Sequence, residues 1–551
     1  MASGSPHTTA DAGADAGPTP LMRREVAVSF LFKHAPGNDA RAQVALFRRS
    51  GDVRTYRHKL APISGSLEEQ DANDALATAL REIKEETALD PPSDLELLYK
   101  GKPYSFADDS IGREWIIHPF AFRLKSTAEG GKGEAGIVID WEHEGWEWHD
   151  PLSVADSDAF GGVPRLRDSL RRVWPETDLC AEAGGALAAG LRDLQTDHES
   201  GARQLAAKAV SVLRDVVAQL GCSVIMDGGD AWWAKVRMAA WHLWRNGRES
   251  MGAAIVGAMV SALDRMEQAV LRGDGSPEER LSRTLDAIDG LLAHQESAVV
   301  KISSSFVDFV KDRVLSEGRS EARLKVLTLS SSSTIASCLA RATAALDGTV
   351  IDLRILESRP LCEGVALASW LLSSEAAEQG KDEKRMDITL YSDASAALAS
   401  EGVDLVLLGA DRISAAGDVS NKTGSLPAVL SAKHVSPGAR VVVLSEVDKV
   451  AGPGDAGEHV VEENDATELT RGWRGIGVKG VDDVVEAAAS SSGDSGHANA
   501  LKIKVKNVYF EWVPARFVDA YVTEKGVWSA AEIQKRSDWI GAEIDRFFGD
   551  L

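Results

Sequence analysis

Cysteine is scarce in this chain: its 551 residues hold four, at Cys180, Cys222, Cys338 and Cys362. No CxxC pair and no histidine at zinc spacing accompanies them, so neither a disulfide framework nor a structural zinc site is indicated. Such usage points to the cytosol, with the nucleus as the alternative, and the expected location is cytoplasmic. Basic charge is also short, with 61 Lys and Arg against 84 Asp and Glu and a net charge of -23. A phosphate polymer or an anionic bilayer would be repelled over most of that surface, so neither nucleic acid nor membrane is an expected partner. Long apolar runs are missing too. The best, residues 253–263, falls well short of a bilayer. Residues 1–21 are small and polar, lack the apolar core of a signal peptide, and read as a disordered tail.

What the chain does have is enough length for more than one core. From residue 22 to about 175 the pattern is strand-rich, with apolar or alternating runs at 26–32, 44–47, 56–63, 116–122 and 137–141. One helix is predicted over 74–87, where Asn73 and Asp74 are good caps and Leu76, Ala79, Leu80 and Ile83 repeat at helical spacing. Residues 183–320 read as helical, chiefly over 186–220 and 231–271. Over 321–551 strands alternate with helices: KVLTL, VIDLRIL, DITLYS, VDLVLLGA, RVVVLS and VYFEWV. That alternation predicts an α/β domain with a doubly wound parallel sheet. A charged stretch at 380–385 and an insertion over 451–499, ending in SSSGDSGHANA, read as surface loops.

The segment REIKEE places Glu82, Glu85 and Glu86 on one side of the predicted helix. Like charges so placed repel, and a hard divalent cation resolves the conflict by taking carboxylate oxygens and bridging to phosphates. A strand, a Ser-Gly turn at Ser64-Gly65-Ser66 and the capped helix form one ordered unit. It resembles the box of the Nudix hydrolases, with Arg81, Glu82, Ile83, Glu85, Glu86 and Leu89 fitting directly, and the resemblance spans 22–172. It implies an N-terminal Nudix α/β/α sandwich with a mixed sheet, Mg²⁺ or Mn²⁺ on Glu82, Glu85 and Glu86, and hydrolysis of a nucleoside-diphosphate-linked metabolite. Two positions depart from the pattern. Ala88 replaces the box glycine, and Asn73 stands at the early glutamate that commonly pairs with the arginine. Arg81 is therefore expected to pair with Glu68 or Glu69. Glu142 is either a base or further ligand, or an ordinary exposed acid.

In the second half, polar groups collect where apolar strands stop. Ser330, Ser331 and Ser332 follow KVLTL, Glu357 and Arg359 follow VIDLRIL, Asp393 follows DITLYS, and Asp411 follows VDLVLLGA. Open parallel sheets bind ligands outside the carboxyl ends of their strands, so these groups are expected to converge. The serine run leads into a helix whose first N–H groups suit an anion, and Arg359 suits a phosphate.

RILESRPLCEGVALA, TLYSDASAA, VDLVLLGADRI with VSNKTGS, and VYFEWV resemble the family of the α, β and δ subunits of translation initiation factor 2B. Methylthioribose-1-phosphate and ribose-1,5-bisphosphate isomerases belong to it too. The resemblance covers 183–551. It implies a helical subdomain over 183–320, a Rossmann-like subdomain over 321–551, a homodimer through this C-terminal domain, and a sugar phosphate or nucleotide as ligand. It assigns Asp411 to catalysis and Arg245, Asn421 and Lys422 to the ligand. Its isomerases use a cysteine where Ser330 stands, and an alcohol is a far weaker acid than a thiol. Cys338, two helical turns further on, is expected to point elsewhere. The reading is a Nudix hydrolase fused to a sugar-phosphate-binding, isomerase-like domain. The alternatives are a regulatory or assembly subunit sensing a phosphorylated ligand, and an active aldose-1-phosphate/ketose-1-phosphate isomerase.

Overall fold

The computed structural model describes residues 21–33, 42–197, 200–221, 230–271, 275–315, 323–346, 348–377, 386–454, 463–490 and 503–551. Nearly all of the 1–21 tail, Cys222, the charged stretch at 380–385 and most of SSSGDSGHANA lie outside them. The chain divides into two compact units, Met1–Asp178 and Leu179–Leu551.

Unit 1 holds β1 (Met22–Lys33), β2 (Gln43–Arg49), β3 (Leu60–Ala61), β4 (Ile63–Ser66), α1 (Ala75–Thr87), β5 (Leu95–Lys100), β6 (Tyr104–Asp108), β7 (Arg113–Leu124), β8 (His143–His149) and α2 (Leu166–Arg171). The eight strands form one mixed sheet of core order β3-β2-β1-β7-β5, with β1 and β7 parallel and their other pairings antiparallel. Along β1 the faces alternate. Val26, Val28, Phe30 and Phe32 join a core with Leu166 and Leu170 of α2, while Ala27 and Leu31 join Ala79 and Ile83 of α1. The sheet is therefore covered on both faces, as an α/β/α sandwich requires.

The Asp74 side chain caps α1 by accepting from the Leu76 N–H, and Ala88 ends it in the left-handed conformation at φ 54°. Ala88 thus adopts the backbone that a glycine would take without strain. Two expected strands fail. Tyr56 and His58 have positive φ, which breaks the 56–63 run, leaving only the short β3 and β4 on either side of Pro62. Residues 137–141 form no strand; the Val138 and Asp140 N–H groups donate instead to Thr87 and Glu86 at the end of α1, and pairing resumes at β8.

Unit 2 opens with α3 (Ala181–Thr196), α4 (Ala202–Leu220), α5 (Asp230–Asn246), α6 (Gly252–Leu271) and α7 (Pro277–Val310). The last, 34 residues long, starts at a Ser276–Glu279 capping box with Pro277 at its first turn. After it come β9 (Arg323–Leu329), α8 (Ser333–Ala345), β10 (Val350–Leu356), α9 (Glu363–Ala377), β11 (Met386–Tyr391), α10 (Ala396–Ala399), β12 (Leu405–Leu408), β13 (Arg412–Ile413) and β14 (Val419–Lys422). The chain ends with α11 (Ser425–Val435), β15 (Arg440–Leu444), α12 (Thr467–Ile476), α13 (Val481–Ser490), β16 (Phe510–Val513), β17 (Ala520–Thr523), β18 (Gly526–Trp528) and α14 (Ala530–Phe548).

The main sheet runs β11-β10-β9-β12-β15-β17-β18, parallel except for its last pair. Its six parallel strands follow the order 3-2-1-4-5-6 of a doubly wound fold. Again the faces alternate: Val326, Leu405 and Leu407 pack with α7 and α8, and Leu327, Val406 and Leu408 pack with α11 and α14. VYFEWV does not join this sheet. β16 pairs instead with β14, and β14 with β13, in a separate antiparallel ribbon. The 451–499 insertion is more than loop, since α12 and α13 form within it. No helix of the described residues is long and apolar enough to cross a membrane.

Ile83 is fully buried between α1 and the sheet. Ile83→Ala is expected to lower the unfolding free energy of unit 1 by about 2–5 kcal/mol, read by chemical denaturation.

Candidate functional site

In unit 1, burial of Ile83 drives the next residues on the same helical face inward, and Glu86 is left 3% exposed. Its Oε1 has no hydrogen-bond partner, and its Oε2 lies 3.3 Å from Nε2 of the buried His143. Burial, and then the charges of Glu82, Glu142 and Asp140, push the Glu86 carboxyl well above the usual range. Burial likewise raises Glu82 and Glu142, and lowers His143 toward its neutral form. Glu142 is thus part of this acidic group rather than an ordinary exposed acid.

Arg81 does not pair with Glu68 or Glu69. Its Nη2 donates to Asp71 at 2.9 Å, and its Nη1 lies 2.8 Å from Glu82 and 3.1 Å from Glu85. Asp71 ends a single 3-10 turn, Glu69–Asp71, which brings it over the helix, whereas Asn73 sits at φ 56° in the turn that follows. The Asp71 carboxylate is held below its usual range by the Arg81 hydrogen bonds.

A Cβ on Gly65 of β4 would fall 1.9 Å from Glu82 Oε1, so glycine there lets the strand lie directly against the carboxylate where it now sits. Gly65 and Glu142 line a cleft of about 720 Å³, with Tyr56, Tyr104, Phe106, Trp115 and Trp141 on its walls and Arg24, Arg49, Arg54 and Arg113 among them. The donor set fits a hard divalent cation: carboxylates cluster, and one buried oxygen stands unpartnered. Convergence is partial. Among the described residues no three His, Cys, Asp or Glu side chains already meet as a metal site, and Arg81 holds Glu82 and Glu85.

In unit 2 the strand order reverses between β9 and β12, and polar groups do meet there. Ser330, at φ 66° and nearly buried, donates its N–H to Ser358 Oγ at 2.7 Å and its hydroxyl to Glu363 Oε2 at 2.7 Å. Glu363 Oε1 lies 3.0 Å from Lys422 Nζ. The Ser358 and Arg359 N–H groups donate to the two oxygens of Asp393, each at 2.8 Å. Ser332 caps α8, and its Oγ and the Asn421 amide oxygen both border Gly409. Ser331 is exposed. The Arg359 side chain lies 3.3 Å from Glu357 and borders a narrow cleft with Pro360, Glu363, Lys422 and Tyr509. Asp411 is raised by burial, against the opposing charges of Lys449, Lys422 and Arg248.

Arg245 does not reach this site. It is exposed on α5, its guanidinium 5.2 Å from the Trp244 ring centre. Three residues on, past the helix end, Arg248 is 7% exposed and is the arginine that acts on Asp411. Cys338 is buried beside Ser303 of α7, with its thiol pushed up to about 12 by burial.

Glu446 follows RVVVLS as another polar group at a strand end; sequence reasoning missed Glu363, Arg248 and the half-buried charged cluster that Arg203, His294, Asp448, Lys449 and Glu524 form with Glu446. The spacing of Glu446 and Lys449, one helical turn apart, is the signal for that cluster. Glu524 faces Asp448 and Glu446 as well as Arg536, and burial raises its carboxyl to about 7. A raised acid stabilises the fold below its unfolded pKa, and that stabilisation is lost as pH climbs through the folded value. Unit 2 is therefore expected to lose stability between pH 4.5 and 7, and Glu524→Gln to flatten that slope and add about 1–3 kcal/mol at pH 8, read by denaturation across pH.

Two family models match the chain: "NUDIX domain" over residues 26–200 and "Initiation factor 2 subunit family" over 250–530. Among curated relatives, the methylthioribose-1-phosphate isomerase of Pseudomonas syringae is 30% identical over 187 residues, covering 33% of this chain and 42% of the relative. That of Stutzerimonas stutzeri is 33% identical over the same length and shares. The chain thus spans less than half the length of these relatives. Among solved structures, Pyrococcus horikoshii translation initiation factor eIF-2B superposes with TM-score 0.40 at 18% identity, covering 62% of this chain and 96% of that one. For eIF2B beta of Chaetomium thermophilum the TM-score is 0.44 at 15% identity, covering 68% and 96%. With the family model matching 281 of its 551 residues (250 through 530), the chain belongs to the Initiation factor 2 subunit family and carries a NUDIX domain ahead of that match.

Proposed function

We propose that unit 1 is a divalent-cation-dependent hydrolase of a nucleoside-diphosphate-linked metabolite. The observation that carries this reading is the buried Glu86, with one oxygen unpartnered, beside Glu82 and Glu142, of which Glu142 lines a cleft that aromatic rings and arginines also wall. Rings such as Tyr56 and Trp115 suit the flat face of a base, and Arg49 or Arg113 suits the diphosphate. Glu82 and Glu86, with Glu85 and Glu142 as further donors, would hold Mg²⁺ or Mn²⁺. Such an ion, once bound, would neutralise phosphate charge and acidify a water. Arg81, anchored by Asp71, keeps Glu82 and Glu85 oriented.

In this reading unit 2 binds a sugar phosphate at Ser332, Asp411, Asn421 and Lys422, with a homodimer through the C-terminal domain and a cytoplasmic location. Cleavage of a nucleotide sugar in unit 1 releases a ligand of that class. The regulatory reading is favoured by one observation, Ser330 where the isomerases of the resemblance use a thiol.

A Mg²⁺-dependent screen of nucleotide sugars, ADP-ribose, dinucleoside polyphosphates and thiamine diphosphate tests the hydrolase. One substrate class is expected to be cleaved, and Glu86→Gln to reduce the rate by about 10²–10⁴-fold with the fold intact. Silence across the panel, or an unaffected variant, would contradict it.

A further inference from the structure

Ser330 stands where the isomerases of the resemblance use a thiol, and an alcohol alone is too weak an acid to take its place. Its hydroxyl is already committed as a donor, 2.7 Å from Glu363 Oε2. The positive φ at Ser330 and its N–H bond to Ser358 fix that geometry. The other Glu363 oxygen lies 3.0 Å from Lys422 Nζ, and Lys422 is itself held over the rings of Tyr509 and Phe510 at 4.9 and 4.8 Å. Glu363 borders the narrow cleft with Ser358, Arg359 and Lys422, and its charge acts on Asp411. The carboxylate is therefore oriented from both sides and open to a ligand, and it shares a site with a second acid.

We propose that Glu363 is the catalytic base of unit 2, with Ser330 and Lys422 as its positioning residues and Asp411 as the partner acid in isomerisation of an aldose 1-phosphate. The proposal rests on the reading of unit 2 as a sugar-phosphate site. In the step it implies, the ring C1–O bond breaks with its electron pair going to the ring oxygen, which takes the proton of Asp411. Glu363 removes the C2 hydrogen as a proton, and that C–H pair becomes the C1=C2 bond of an enol phosphate. The Glu363 carboxyl, open to the cleft, exchanges that proton with solvent; the enol pair then takes the exchanged proton from Glu363 at C1, and the C2 hydroxyl returns a proton to Asp411 as its C=O forms. C1 is reduced and C2 oxidised within one molecule, both acids regain their starting states, and no outside oxidant or reductant is needed. Burial keeps the Asp411 carboxyl raised, which favours the protonated form this sequence starts from.

The test offers methylthioribose 1-phosphate and ribose 1-phosphate to the full chain in D₂O, with calorimetry for binding and proton NMR for the product. Binding and ketose formation with deuterium at C1 are expected. Glu363→Gln is expected to bind within about threefold of the parent and turn over about 10²–10⁴-fold more slowly, while Ser330→Ala retains measurable turnover. Full activity in Glu363→Gln would overturn the proposal, as would turnover with no deuterium at C1, or a bound sugar phosphate that is never converted. Calorimetry showing that neither compound binds would overturn the sugar-phosphate reading itself, and the proposal with it.

Discussion

The buried carboxylate of Glu86 is the constraint on which unit 1 turns. Helix α1 packs through Ala79 and Ile83, and on a helix the residue three places beyond Ile83 shares its face, so the fold carries Glu86 into the protein with them. Taking a charge out of water without a cationic partner costs on the order of several kcal/mol. The surroundings relieve little of that cost, Arg49 being the cation whose charge opposes the raised carboxyl. His143 is held toward neutrality, Asp140 and Glu142 add negative charge, and Arg81 is drawn away by Asp71. The backbone nevertheless wraps this point closely, with Val138 and Asp140 bonded to the last turn of α1 and Gly65 lying against Glu82. A carboxylate cluster enclosed so tightly matches the oxygen donors of the hard divalent cation proposed for unit 1.

Unit 2 meets a comparable problem with different means. Its strand order opens a crevice between β9 and β12, where chain ends from neighbouring strands meet. There the acids are balanced: Glu363 by Lys422, Glu446 by Lys449, and Asp411 by Lys449, Lys422 and Arg248. A site whose negative groups are matched by fixed ammonium and guanidinium groups suits an anionic small molecule more than a metal ion. The two units thus differ in where their positive charge lies: in unit 1 it lines the cleft while the Glu86 carboxylates cluster, and in unit 2 it pairs the acids directly.

Much of this was legible in the sequence, for reasons visible in particular residues. Strong periodicity marked α1, β1 and the parallel strands because their apolar faces are fixed by the cores they fill. Strand ends rich in Ser, Glu and Asp pointed to where these polar groups meet, because a doubly wound sheet gathers them at one edge. What failed depended on tertiary pairing or on backbone geometry. Nothing in the composition of residues 56–63 discloses the positive φ of Tyr56 and His58, and residues 137–141 lose their strand to α1 carbonyls that lie elsewhere in the chain. VYFEWV has strand character but no local sign that its partner is β14 rather than the main sheet. Arg245 and Arg248 are three residues apart, and only the end of α5 between them decides which turns inward. Asp71 became the partner of Arg81 through one 3-10 turn that spacing alone does not specify.

The central claim is that the Glu86 cluster exists to hold a divalent cation, and Mn²⁺ binding followed by electron paramagnetic resonance tests it without reference to any substrate. The account predicts saturable binding to the full chain that Glu86→Gln abolishes or weakens severely while circular dichroism stays unchanged. Binding that is indifferent to Glu86→Gln, or no binding at millimolar Mn²⁺ by a folded protein, would contradict it.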